Sequence, residues 1–400
     1  MRTGTTDVFS FYLPTRIIHG PGSIRQTGGE FKNLGAAKCL LVTDQGVRMA
    51  GLLEGVLQSL EASSIPYVVF DEVEEDPGGT TVARGAEMAV REKCNGIVVV
   101  GGGSPICAGR AIGVVATNKG AIKDYAGLGK ASLAPLPLIA VPTTAGSGAE
   151  VSQFIVLKDE ERHAKMVVGS PLYFPRVAIL DPMLIRTMSP RLAAVSGVDA
   201  LTHAIEAYLT TMTTPITDAL ALSAVRLIHN HLRAAALSDD LEAKESCLIG
   251  STMANMACGN ARLGLVHGLT NPMEGMFKIP HGIAVGTLLP YAMAFNLPAG
   301  RQRFADLAGA MGEDHRAERA LPAIKKLYMD LGFPSRYAES QIDRKAVPQI
   351  VKMAMAGLYG VYDPDREYPM NAPLPSVNIR KATMKDAIDL LERAFEGWGE

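Results

Sequence analysis

Short apolar runs and Ala-rich segments alternate along the first half of the chain. KCLLVT (38–43), YVVF (67–70), GIVVVG (96–101), LIAVP (138–142) and VAIL (177–180) are β-branched runs of strand length. Gly, Pro or polar residues bound them, as expected for buried strands. Between them, segments such as 80–94 and 104–118 repeat Ala and aliphatic residues at helical spacing. Strand, helix, strand in repetition predicts a parallel sheet covered on both faces. FSFYLPTRIIHGPG, ahead of the first run, reads as an extra strand pair.

The pattern changes after Asp181-Pro182. From Leu192 to Glu400 almost no strand-like run remains, and 195–210, 216–236, 241–258, 300–312, 317–331 and 383–396 read as helices. The expected organisation is an α/β domain over 1–185, with a parallel Rossmann-like sheet, and an all-helical domain over 186–400. A short loop, DPMLIRTMSPR (181–191), joins them. There is no internal repeat and no low-complexity tether. Ligands favour the crevice between two such domains.

Composition narrows the classes. The chain has 400 residues, 48% of them hydrophobic and 6% aromatic, so its cores are built from aliphatic side chains, Ala and Met. The formal net charge is −2, and no basic block or acidic tail points to nucleic acid. Cys39, Cys94, Cys107, Cys247 and Cys258 form no CxxC pair, which favours free thiols in a reducing compartment. MRTGTTDVFSFYLPTR has no apolar h-region, and Pro or Gly interrupts every long aliphatic stretch. The expectation is a soluble cytoplasmic protein without a membrane span.

Candidate chemistry lies at two loops. Gly101-Gly102-Gly103-Ser104-Pro105 follows a buried strand and precedes a helix. Consecutive glycines let a pyrophosphate approach the backbone, and a helix N-terminus offers unpaired N–H groups. The pattern is not GxGxxG, and an ordinary βα turn needing glycine for positive φ accounts for it equally well. Pro142-Thr143-Thr144-Ala145-Gly146-Ser147-Gly148, after the next strand, offers three hydroxyls for phosphate or ribose. A capped helix start is the plainer reading. Asp44 ends CLLVT, where an acid can accept from ribose hydroxyls and repel a 2′-phosphate, favouring NAD over NADP. A helix N-cap is at least as common for such an Asp.

The second half carries Asp199, His203, His267 and His281. Asp199 and His203 sit at i and i+4 in DALTHAIEAY, on one helix face. His267 and His281 open two His-Gly steps; Pro272 and Pro280 argue against one unbroken helix between them. One carboxylate and three imidazoles suit Fe(II), Zn(II), Mn(II) or Co(II) and leave room for a substrate oxygen. Taken one at a time, each His reads more often as a core or capping residue; Asp and His at i and i+4, followed by two His-Gly steps, put the metal reading ahead. His229 and His231, at i and i+2, point to different faces and read as packing or surface residues.

In order, LLVTDQGV, VVVGGGSP, PLIAVPTTAGSGAEV, AILDPMLI, SGVDALTHAIEAYLT, TDALAL, HGL and IPHGIAVGTLLPYAMAFN resemble the iron-containing (group III) alcohol dehydrogenases. The resemblance spans essentially the whole chain. It implies a dinucleotide-binding α/β domain, a helical metal domain, an active site between them and a homodimer or larger homo-oligomer. It makes Asp199, His203, His267 and His281 the metal ligands, with Fe(II) favoured and Zn(II) used by some members. It matches Gly101, Gly102, Gly103, Ser104 and Pro105 to pyrophosphate binding. It places Asp44, Thr143, Thr144, Ser147 and Lys165 at the cofactor, NAD rather than NADP. The chain departs from the family at three positions. Cys107 stands where an Asp is usual, Arg110 where a Lys is common, and Asn271 where many members carry a second His assigned to proton relay or cofactor orientation.

The implied activity is NAD(H)-dependent hydride transfer between a small alcohol and its aldehyde or ketone, with the metal as Lewis acid. Three alternatives share parts of this pattern: a metal-free maleylacetate-type reductase, a non-redox cyclase related to dehydroquinate synthase, and a non-catalytic nucleotide-binding protein. The cyclase needs a Lys/Arg cluster, whereas Arg262 and Lys278 stand alone over 250–285. Leu263, Leu265, Phe277 and Ile279 suggest a short, weakly charged substrate.

Overall fold

Four of the apolar runs become strands buried along their full length: β2 (Cys39–Val42), β4 (Gly96–Gly101), β6 (Leu138–Pro142) and β9 (Val177–Leu180). In the computed structural model, which describes residues 8–162, 164–337, 342–356 and 373–398, they form the centre of a six-stranded sheet. Its order is β1-β9-β6-β4-β2-β3, with β1 (Arg16–His19) and β3 (Tyr67–Phe70) at the edges. The pairings between neighbours are parallel. Successive side chains divide between two cores. Leu40, Val42, Ile97 and Val99 enter one cluster, whereas Cys39, Leu41, Val98 and Val100 enter the other. This period-2 division explains why the central runs are apolar throughout.

Helices α1 (Thr27–Asn33), α2 (Gln45–Met49), α3 (Glu54–Ala62), α4 (Gly79–Arg91) and α5 (Gly103–Thr117) belong to this unit, which comprises Leu13–Arg162 and Met166–Met188. A second sheet, ordered β5-β8-β7, consists of β5 (Gly127–Leu128), β7 (Phe154–Asp159) and β8 (Ala164–Gly169). The sequence reading had no strands there. It also expected a strand pair at the opening segment, where the structure has only β1, paired with β9. Leu13-Pro14 breaks the run: a Pro holds its predecessor extended but supplies no N–H to a ladder.

The other unit, built on Ser189–Glu400, also takes in Lys165. Its helices are α6 (Pro190–Tyr208), α7 (Pro215–Leu237), α8 (Leu241–Ala261), α9 (Leu265–Met276), α10 (His281–Asn296), α11 (Arg301–Ala310), α12 (Ala317–Leu331), α13 (Val347–Ala356) and α14 (Met384–Glu396). Among the described residues from 189 onward, the only β pairing is an isolated bridge between Thr210 and Asn378. Helices α6, α7 and α8 pack mutually. α6 starts five residues before the predicted 195, because Ser189 caps Leu192 N–H and Pro190 takes the first position. His281–Ala299 is long and apolar enough to cross a bilayer, a helix the sequence reading passed over; 67% of its most apolar window is buried in the protein.

Candidate metal centre

Three helices supply the four candidate ligands. Asp199 and His203 stand one turn apart on α6; His267 lies in the first turn of α9, and His281 opens α10. One ligating atom from each of the four falls within 4.8 Å of the others. His203 and His267 stack with ring centroids 4.7 Å apart, and His281 is tilted 5.3 Å from His267. Asp199 Oδ1 is 3.3 Å from His281 Nε2, 3.7 Å from His203 Nδ1 and 3.9 Å from His267 Nε2. Pro272 lies inside α9, so the helix runs through it, and the chain breaks instead before Pro280.

The fit to a cation is visible in what these atoms lack. Asp199 Oδ1, His203 Nδ1 and His267 Nε2 are buried without a hydrogen-bond partner. Leaving such groups unpaired costs about 1–3 kcal/mol each, a cost that a shared divalent ion would offset. The four residues also shape one another's charge. Burial opposes ionisation of Asp199, but His203, His281 and His267 outweigh it and hold the carboxyl well below its ordinary range. Burial pushes His203 down to about 4, against the pull of Asp199. Burial also opposes charge on His281, yet Glu274 and Asp199 hold it well above the ordinary histidine range. Asp199 and His281 are thus favoured in their charged forms, whereas burial keeps His203 neutral.

Two glutamates absent from the sequence reading support two of the histidines. Glu206, two turns beyond Asp199 on α6, accepts His267 Nδ1–H at 2.6 Å and the backbone N–H groups of Val266 at 2.7 Å and His267 at 3.2 Å. Its carboxylate therefore also caps the start of α9. Gly264 permits the approach: a Cβ there would lie 3.1 Å from Glu206 Oε1 and 2.9 Å from Asn378 Oδ1. Glu274, two turns beyond His267 on α9, accepts His281 Nδ1–H at 2.8 and 2.9 Å. An ionised carboxylate only accepts, so each Nδ1 carries a proton, and Nε2 is the ring atom of each that turns toward Asp199. Among the described residues, His203 Nδ1 has no hydrogen-bond partner. His229, the other histidine pair's buried member, contacts Asn230 and Ala323 instead.

In the α/β unit, the two polar loops follow neighbouring strands. Val42 and Val99 are paired, as are Gly101 and Pro142, so Asp44, the glycine loop and the Thr-Thr loop leave the same carboxyl edge. The chain order reverses between β2 and β4, which makes this the switch point where such sheets bind ligands. Gly101, Gly102 and Gly103 all lie outside the positive-φ region, so turn geometry does not account for them. Close approach does. A Cβ would lie 2.5 Å from Pro105 at Gly101, 3.2 Å from Thr144 Oγ1 at Gly102 and 3.1 Å from Ser147 Oγ at Gly103. The N-cap residue of α5, Gly102, has no side chain with which to cap the helix, and a helix N-terminus of this kind suits an anion. Thr143 N–H donates to Gly101 O at 3.0 Å, and Ser104 Oγ accepts Asp76 N–H at 3.2 Å. Asp44 caps α2, accepting Val47 N–H at 2.8 Å.

The departures resolve differently. Cys107 packs among the apolar residues of one sheet core. Arg110 is buried and donates to the carbonyls of Tyr173 at 3.0 Å and Phe154 at 2.9 Å; burial lowers its guanidinium to about 10. It ties α5 to the start of β7 and to the short 3-10 turn at Pro171–Tyr173. Asn271 is half-buried, one turn past His267.

Residues 14–182 match the family described as iron-containing alcohol dehydrogenase, and 193–368 match the C-terminal part of the Fe-containing alcohol dehydrogenase family. A 1,3-propanediol dehydrogenase of Klebsiella pneumoniae is 39% identical over 358 residues, covering 87% of this chain and 92% of that protein. An NAD-dependent methanol dehydrogenase of Bacillus methanolicus is 36% identical, covering 96% of this chain and 100% of that one. A crystal structure of a 1,3-propanediol oxidoreductase superposes with a TM-score of 0.90 at 37% identity, covering 97% and 100% of the two chains.

Proposed function

This chain belongs to the iron-containing alcohol dehydrogenase family and is an NAD-dependent oxidoreductase acting on CH–OH groups; we propose that its substrate is a small, weakly charged alcohol or the corresponding aldehyde or ketone. The observation that carries the reading is the four-residue set, with three buried atoms that have no hydrogen-bond partner.

Asp199, His203, His267 and His281 would hold the divalent metal, Fe(II) foremost and Zn(II) as an alternative, where it supplies Lewis acidity to a substrate oxygen. Residues 101–105, Thr143, Thr144, Ser147, Asp44 and Lys165 would hold the dinucleotide, whose nicotinamide supplies the hydride chemistry. Asp199 contributes the fixed negative charge of the ligand set. Glu206 and Glu274 keep the protons of His267 and His281 on Nδ1. The N-terminus of α5 would receive the pyrophosphate, and Asp44 would favour NAD over NADP. Asn271 can orient a neighbour by hydrogen bonds but holds no titratable proton, so no imidazole relay operates at that position. The five free cysteines, all buried, support a reducing compartment, the cytoplasm.

The test is a panel of alcohols and aldehydes assayed with protein of defined metal content, followed by NADH and NADPH absorbance. Turnover with small alcohols and NAD, lost on chelation and restored by Fe(II) or Zn(II), is expected. Full turnover after complete metal removal would overturn the reading.

A further inference from the structure

The two supporting glutamates differ in their surroundings. Glu206 is fully engaged with α9: its oxygens accept Val266 N–H, His267 N–H and His267 Nδ1–H. Glu274 accepts His281 Nδ1–H, and its Oε2 also lies 3.6 Å from Lys165 Nζ. The side chains of Glu274 and Lys165 are 1% and 8% exposed, so this ion pair is shielded from water and salt. Lys165 lies on β8 yet groups with the helical unit, so the contact is internal to that unit. A buried ammonium beside a carboxylate that also holds a ring in place loses that charged partner when the carboxylate is replaced.

We infer that Glu274 is a positioning residue with two clients: through His281 it sets the metal ligand, and through Lys165 it sets a contact to the cofactor. The inference rests on the proposed roles of His281 and Lys165. The Glu206 carboxylate holds His267 and caps the start of α9, and among the described residues its hydrogen bonds stay on that helix. One carboxylate thereby supports both the metal ligand and the cofactor contact, so its replacement should lower both affinities.

The test compares Glu274→Gln and Glu206→Gln, near-isosteric changes that preserve shape, with Lys165→Met and His281→Ala. Two quantities are measured: Co(II) affinity by chelator competition, with the Co(II) absorption spectrum as a signature of ligand geometry, and NADH affinity of metal-free protein by fluorescence. Both Gln variants should lower Co(II) affinity about 10–100-fold. Only Glu274→Gln and Lys165→Met should weaken NADH binding by metal-free protein, by about fivefold or more; Glu206→Gln and His281→Ala should leave it unchanged. If Lys165→Met weakens NADH binding and Glu274→Gln does not, the inference falls alone. An unchanged NADH affinity in Lys165→Met, or an unchanged Co(II) affinity in His281→Ala, also overturns it and traces the failure to the proposed site. If Glu274→Gln does not fold, Glu274→Asp replaces it; the shortened side chain should reduce both affinities in the same protein, and loss of only one overturns the inference.

Discussion

The two candidate binding regions are built from opposite materials. The cradle in the α/β unit is backbone: three glycines at the start of a helix, closed in by Thr144 and Ser147. The cluster in the helical unit is side chain: one carboxylate and three imidazoles, with two further carboxylates behind them. The first works because atoms are missing, and any added Cβ intrudes. The second works because particular atoms are present, and any deletion leaves a buried group without its partner. Glycine and helix N-termini suit a large anion that needs many weak N–H contacts, whereas charged and aromatic donors suit a single compact cation.

The largest effect should come from deletion in the side-chain region. His267→Ala should lower metal affinity more than about 100-fold, beyond the loss from a supporting residue. NADH binding by metal-free protein should be unchanged, as metal analysis and fluorescence titration would show. Parallel loss of both would break the division. Addition in the backbone region comes next. Gly102→Val should weaken NADH binding at least tenfold, about 1.4 kcal/mol, and leave metal content intact. Gly264→Ala exports the backbone logic to the metal region. Its Cβ would press on Glu206 Oε1 and Asn378 Oδ1, so thermal stability should fall by about 1–3 kcal/mol, with a weaker metal site. Normal values for both would show that Glu206 can shift at no cost.

The smallest effect tests a histidine outside the cluster. Burial lowers the His229 pKa, ahead of the contacts to Asn230 and Ala323 that favour its proton. Folded protein therefore keeps the ring neutral where unfolded chain, with a pKa of about 6.5, takes up a proton. The stability this residue contributes is present above about pH 6.5 and is lost as pH falls through the lowered folded value. His229→Gln should flatten the loss of melting temperature between about pH 7 and 5, without changing metal content.

The sequence revealed one kind of information better than the other. The central strands were legible because two-sided burial makes them apolar throughout. β7 and β8 were not: FIVLKD mixes buried and exposed positions over six residues, a pattern that short loops share. The early start of α6 was written in Ser189-Pro190, a cap followed by a helix-starting proline. All four members of the metal cluster could be read in advance as candidates, but their convergence depends on how α6, α9 and α10 pack. Glu206 and Glu274 were missed although spacing offered a clue. Each follows a candidate ligand by seven residues, two turns along the same face. What spacing could not supply was the partner, because Glu206 reaches α9 and Glu274 reaches α10. For the glycine loop the residues were recognised but the reason was not: crowding by Thr144 and Ser147 comes from the neighbouring strand.

His281–Ala299 carries a consequence for how the protein is made. It is the most membrane-like segment of the described chain, and its cover comes from elements synthesised before and after it. Gly282 and Gly286 admit Val195 and Val198 of α6, and Phe333 comes from a later segment. A ribosome therefore delivers this sticky helix after α6 is available to receive it but before the Phe333 side of its pocket exists. During that interval chaperones would find their clearest target here, and a variant that slows docking of α6 would be recovered in inclusion bodies rather than as a soluble enzyme with weak metal binding.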